Sequence, residues 1–312
     1  MDSANRRQFL RTATLAGAGL ALGGRRLLAA EKKSVLLFTK SSGFEHEVIK
    51  TLNGQPSIVE NALRDLGKKH GFAVTATKDG RIFSSQEFRE HTALFFYTTG
   101  DLTQAGTDKN PPMTEAGKKA LLDSIHDGQG FIGAHAASDS FHTQPELADR
   151  SNRYQAYGEK SDPYLLMLGA EFINHGREHR LQTTDLIVSD PTFPGLEGVK
   201  SPVRFNEEWY SLKDFRDDIH VILTLETKGM QDEIYQRASY PVTWNRMHGK
   251  GRVFYSAIGD LKESWANPFF LNLLGGGIRW SIGDVSAKLD HNLKTAAPGY
   301  AEIPPKFPPE KK

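Results

Sequence analysis

The sequence predicts an α/β protein, a flavodoxin-like doubly wound sandwich with a mostly parallel central sheet. Three observations carry that expectation. From residue 34 to residue 135, runs of β character alternate with helical periods. The first run, Ser34-Val-Leu-Leu-Phe-Thr39, is almost unbroken in its apolar character, as a strand covered on both faces is. The last run ends in Gly133-Ala134-His135-Ala136-Ala137. Small residues around one polar side chain let a backbone turn sharply and present that side chain at the carboxyl edge of a parallel sheet. Open α/β sheets bind ligands at that edge.

The elements follow in order. Residues 1–30 read as a twin-arginine export signal, with Asn5-Arg-Arg-Gln-Phe-Leu-Arg11 followed by a small, apolar run from Ala13 to Gly24 and a cleavage site after Ala30. That run is too short and too rich in Gly and Ala for a membrane span, so we expect a periplasmic or secreted protein that is not integral to the membrane. Residues 31–284 form the domain. After the strand at Ser34 to Thr39, Pro56 to His70 reads as a helix with Ile58, Ala62 and Leu66 on one face and Gly71 closing it. Phe72 to Thr77 is the second strand, Phe83 to His91 a short helix or loop, and Ala93 to Thr98 the third strand. Thr114 caps a helix that ends at Gly128, and Phe131-Ile132 form the fourth strand. Residues 143–163 are loop-like, with Tyr154 and Tyr157 as candidate lid or substrate contacts. Tyr164 to Phe172 reads as a short helix and a turn. Leu181 to Val188 and Val221 to Leu225 are strands. Tyr240 to Ser256 reads as a hairpin turning at His248 to Gly251. Pro268 to Ile282 is a final helix whose Gly275-Gly276-Gly277 implies close packing or a break. The Pro- and Lys-rich tail, 285–312, is expected to be extended or disordered.

Composition excludes several functions. Lys plus Arg number 39 against 38 Asp plus Glu, so no nucleic-acid or anionic-membrane surface is implied. The absence of cysteine removes disulfides, thiolate metal sites and a Cys nucleophile. Any metal must therefore be held by His, Asp, Glu or water.

Candidate site residues cluster at predicted strand ends. His135 at the elbow suits a metal ligand or general base; the plain alternative is a histidine that caps its own turn. Ser138, Asp139 and His142 crowd the same turn, and Ser138 and Asp139 are candidate substrate contacts. His46 follows the first strand between Glu45 and Glu47. His175 and His179 are four apart, but Gly176 and the strand that follows argue against a helix. Extended, they would lie roughly 13 Å apart, too far to share an ion, and His179, nearer the strand, is the better candidate ligand. Glu207-Glu208 beside Trp209-Tyr210 suits a metal or a sugar; a solvated acidic pair is the alternative. Trp244 lies in the predicted hairpin, and Asp260 ends the last strand.

Five segments together resemble the ThuA-like (trehalose utilisation) family. They are Gly130-Phe-Ile-Gly-Ala-His-Ala-Ala-Ser-Asp-Ser-Phe141, Leu168-Gly-Ala-Glu-Phe172, Asn206-Glu-Glu-Trp-Tyr210, Tyr240-Pro-Val-Thr-Trp244 and the stretch from Gly249 to Gly259. The resemblance spans about residues 33–284. It implies a class I glutamine amidotransferase-like fold without amidotransferase chemistry, because the Cys nucleophile of that fold would fall where this chain has His135. The resemblance also links the chain to disaccharide use, including routes through 3-keto sugars. Family members often carry Gly-His where this chain has Gly259-Asp260, so either Asp260 takes that role or the site has changed.

The expectation is thus a periplasmic carbohydrate-active enzyme acting on a sugar or 3-keto-sugar glycoside by hydrolysis, elimination or isomerisation. His46, His135 and His179 would hold a divalent metal, zinc among the candidates. His135, Glu208 and Asp260 would supply acid, base or ligand chemistry. Trp209, Tyr210 and Trp244 would pack on the sugar. The competing expectation is a non-catalytic sugar-binding or accessory module. A homo-oligomer is compatible with either.

Overall fold

The computed structural model describes residues 33–306. The predicted export signal lies outside these residues. Eleven strands form: β1 (Ser34–Phe38), β2 (Ala73–Thr77), β3 (Ala93–Phe96), β4 (Gly130–Ala134), β5 (Glu171–Asn174), β6 (Leu181–Val188), β7 (Val203–Glu208), β8 (Ser211–Lys213), β9 (His220–Leu225), β10 (Tyr240–His248) and β11 (Gly251–Ser256). Nine of them make one sheet in the order β2-β1-β3-β4-β11-β10-β9-β6-β7, and β5 pairs with β8 separately. From β2 to β11 every pairing is parallel. Beyond β11 the pairings are antiparallel, so only β10 and β6 run against the rest. The carboxyl ends of β1, β4, β11 and β7 therefore lie at one edge.

The helices are α1 (Ile58–His70), α2 (Glu115–Asp127), α3 (Gln144–Ala148), α4 (Pro163–Leu168), α5 (Pro268–Ser281) and α6 (Leu293–Ala296). Thr114, Gly71 and Gly128 cap where the sequence places them, whereas α1 starts after Ser57, two residues later than expected. Ser57 and Thr114 accept the amides of Glu60 and Gly117, and Gly71 and Gly128 close α1 and α2 at positive φ. Adjacent residues of β11 point to opposite faces. Phe254 meets α5, which also packs on α1, while Tyr255 lies on the face that α2 and α4 cover. β1, β3 and β4 carry only buried side chains past Ser34, as a sheet covered by helices on both faces requires. No helix among the described residues is long and apolar enough to cross a membrane.

Four elements depart from expectation, among them α3, which forms in the stretch expected to be loop-like, and the short strand β8. The turn after α4 contains the short strand β5. The tail is not extended or disordered up to residue 306: it folds back over β9, with Leu293 and Ala297 buried and Asn292 hydrogen-bonded to both backbone groups of Val221. A Pro- and Lys-rich composition conceals these few anchors.

Candidate metal centre and cavity

Four of the strands ending at the shared edge lead to one donor each. His46 follows β1, His135 follows β4, Glu208 ends β7 and Asp260 follows β11. One ligand atom from each lies within 4.8 Å of those of the other three. The elbow is strained: His135 sits at φ 41°, a conformation a non-glycine residue holds only when its surroundings enforce it. Those surroundings are specific. Tyr255 Oη donates to the His135 carbonyl at 2.8 Å and Ser138 Oγ bonds Tyr255 Oη at 2.8 Å. His135 Nδ1 donates to the Ala257 carbonyl at 2.8 Å. That bond fixes the tautomer and leaves Nε2 facing Glu208 at 3.5 Å, buried and without a hydrogen-bond partner.

His46 is likewise buried. Its Nδ1 lacks a partner, and its Nε2 lies 3.4 Å from Tyr210 Oη and 3.9 Å from Asp260. The two imidazoles meet edge to face at 5.2 Å, and Tyr210 packs on His135 at 4.1 Å. Burial, then the neighbouring His135, lowers the His46 pKa to about 3, so its ring is neutral. Burial also opposes charge on His135, but Glu208 outweighs it and raises that pKa. Burial opposes the Glu208 carboxylate too, yet His135, His175 and Arg180 together hold it at about 2. Asp260 is pushed up, first by burial. The cluster thus offers neutral imidazole, imidazole poised against a carboxylate, and two acids. That is a hard-to-borderline donor set of the kind divalent ions take.

Glu207 and Glu208 divide their work by strand alternation. Glu207 turns away and accepts from Gly259 N, Leu261 N and Ser264 Oγ. It thereby ties the end of β7 to the loop that carries Asp260. Glu208 turns into a cavity of about 370 Å³ lined by His46, Asp139, His142, His175, Arg180 and Tyr210 among others.

The sequence profile of the ThuA family, described as trehalose utilisation, matches residues 34–281. The chain belongs to the ThuA family. Two solved structures share its fold. A ThuA-like protein from Bacteroides uniformis superposes with a TM-score of 0.58 at 18% identity, over 80% of this chain and 91% of that one. A ThuA-like protein from Parabacteroides merdae gives 0.51 at 17% identity, over 88% and 97%. No protein of curated function matches.

In this ThuA chain, the structure brings His46, His135, Glu208 and Asp260 together, with Asp139 and Tyr210 on the cavity wall. Four other predicted residues fall elsewhere. His179 is not at the centre: Asp232 accepts both its backbone N, at 2.9 Å, and its Nδ1, at 3.3 Å, which turns the ring to the surface. His175, set aside in favour of His179, lies 3.9 Å from Glu208. Trp209 and Trp244 cannot stack on a sugar, because both are fully buried with their indole N–H groups donated to the Gln182 and Leu168 carbonyls. Ser138 is also fully buried, and it supports the elbow through Tyr255 rather than touching the cavity. Sequence reasoning assigned no role to Arg180, whose Nη1 lies 2.9 Å from Glu208 and 3.9 Å from Asp260. The signal was the strand register: Leu181 pairs with Glu208, so Arg180 enters β6 beside it.

Proposed function

We propose that this ThuA protein is an exported carbohydrate-active enzyme acting on a sugar or 3-keto-sugar glycoside, with a divalent ion, zinc among the candidates, held by His46, His135, Glu208 and Asp260. The observation that supports the reading best is His135 Nε2, a buried imidazole nitrogen without a hydrogen-bond partner 3.5 Å from Glu208, with His46 Nε2 and Asp260 closing the same cluster. Orphaned polar atoms of this kind need an occupant. A bound divalent ion would supply Lewis acidity to a carbonyl or hydroxyl oxygen of the sugar. The chain's own residues would do the rest. The Ala257 carbonyl holds the His135 tautomer, and Glu207 holds the Asp260 loop. Asp139, kept ionised on the cavity wall by His142 and Arg153, is placed to accept a sugar hydroxyl or a proton beside a carbonyl. Hydrolysis, elimination and isomerisation all draw on this set. The non-catalytic alternative loses support from the burial of Trp209 and Trp244, which leaves Phe44, Phe172 and Tyr210 as the aromatic lining.

The test is elemental mass spectrometry of the purified protein beside turnover of a 3-keto-disaccharide, for wild type, His135→Ala and His46→Gln. Near one equivalent of a divalent ion in wild type, lost in both variants with at least a hundredfold loss of turnover, is the expected result. Undiminished turnover in a folded His135→Ala would sink the proposal.

A further inference from the structure

The cavity carries guanidinium groups that its acids cannot all match once a cation occupies its floor. Arg150, Arg153 and Arg180 line the same space. Arg153 is matched by Asp139 at 3.3 Å. Arg150, exposed in the turn that follows Asp149, has no hydrogen-bond or ion-pair partner among the described residues. Arg180 rests on Glu208 and Asp260, two of the four proposed metal ligands. Arg180 holds Glu208 Oε1 and Asp260 Oδ2, whereas the imidazoles face the other two oxygens, Glu208 Oε2 and Asp260 Oδ1. An ion between the imidazoles would draw on the charge of both carboxylates and leave Arg180, whose side chain is 48% exposed at the cavity, less fully matched. Arg150, unmatched, and Arg180, partly matched, would then stand above a floor where Glu208 and Asp260 balance the ion's charge.

We propose that the substrate is an acidic sugar whose oxyanion, a carboxylate or a phosphate, is held by Arg150 and Arg180 while its hydroxyl or carbonyl end reaches His46 and Glu208. The planar fork of a guanidinium fits such an oxyanion through two parallel hydrogen bonds. A cavity of about 370 Å³ has room for one sugar ring bearing an acid group. The acids on the cavity wall do not repel it on balance. Asp139 is already paired with His142 and Arg153, and Glu208 would be engaged by the ion. The weakened pairing of Arg180 rests on the metal-centre reading, whereas Arg150 does not.

The experiment is calorimetric titration of metal-loaded protein with glucuronate, glucose 6-phosphate and glucose, in wild type and Arg150→Ala, with metal content measured in the same samples. We expect at least one acidic sugar to bind about tenfold or more tightly than glucose, the range of a charged hydrogen-bonded contact. Arg150→Ala should erase most of that preference without changing metal content. A stronger response to glucuronate assigns a carboxylate, and a stronger response to glucose 6-phosphate assigns a phosphate. Equal binding of glucose, no binding of any of the three, or an undiminished preference in Arg150→Ala would each overturn the proposal. Metal-loaded protein without acid preference removes this inference alone. Acid preference in protein that holds no metal keeps Arg150 and removes the metal centre.

Discussion

His142 lies within reach of three carboxylates: Asp139 at 2.7 Å from Nε2, and Glu146 and Glu171 at 3.4 and 3.5 Å from Nδ1. Two cations share the network. Lys213, fully buried, pairs with Glu146 and lies 3.8 Å from Glu171, and Arg153 Nη2 lies 2.7 Å from His142 Nε2. That last contact suits only an unprotonated Nε2, so acids and arginine pull in opposite directions. Burial also disfavours the charged ring, but the three acids win and push its pKa up to about 10. A raised pKa stabilises the fold fully below the unfolded value of about 6.5 and loses that contribution as pH climbs through about 10. Urea unfolding of wild type should therefore show stability falling across that window. His142→Gln should show a flatter profile and its largest deficit near pH 6. Parallel profiles for the two proteins would show that the ring is neutral throughout. The residue scale is also where the sequence was most uneven as a guide. His46, His135, Glu208 and Asp260 were legible because each ends a strand pointing at one edge. Trp209 and Trp244 misled, since an aromatic beside acids looks the same whether it lines a cleft or fills a core. His179 misled because only the fold reveals Asp232 as its partner.

The three glycines of α5 show what a helix gains by giving up side chains. The helix runs unbroken from Pro268 to Ser281, so close packing is the reason for them. A Cβ on Gly276 would stand 1.7 Å from the Pro194 carbonyl oxygen, and one on Gly277 would stand 2.6 Å from the Phe254 ring. At Gly275 the nearest atom is His70 Nε2 at 3.1 Å, the end of a side chain that can move. Gly276→Ala should thus cost about 3 kcal/mol, at the upper end for overpacking. Gly275→Ala should be near neutral, because a helix-propensity gain of about 1 kcal/mol offsets a small shift of His70. Thermal melts of the two variants check this, and equal losses would refute the packing account. The same helix was placed from sequence to within a residue, as were α2 and the hairpin β10–β11, because caps and periodicity mark their ends, while α1 starts two residues later than expected. β5 and β8 were not legible. With four and three residues, they are too short to show a period, and their pairing is a long-range event.

At the scale of the whole molecule, the parallel half supplies the elbow and the antiparallel half returns Glu208 to it. The second half must hold its register for the site to exist. β9 sits in the middle of that half, between β10 and β6, and the tail clamps it. Asn292 Oδ1 accepts Val221 N at 2.6 Å and its Nδ2 donates to Val221 O at 3.0 Å. His220 Nδ1 donates to the Asp290 carbonyl, and Arg237 Nη2 donates to that of Tyr300. Leu293 adds a buried side chain worth about 2 kcal/mol, and each hydrogen bond adds about 1 kcal/mol. Ending the chain after Val285 should therefore remove at least about 3 kcal/mol, a fall of roughly 6–12 °C in Tm for a domain of this size. Hydrogen exchange should then quicken in β9 before it quickens in β4, which β11 and β10 separate from it in the sheet. An unchanged melting temperature after truncation would show that β10 and β6 hold β9 without the clamp. The structure argues otherwise, because β9 pairs with β6 over only three residues, Leu186 to Val188 against Leu225 to Leu223. The other flank carries two register shifts, between Pro241 and Thr243 and between Thr243 and Trp244. A strand so loosely paired on both sides depends on what covers it.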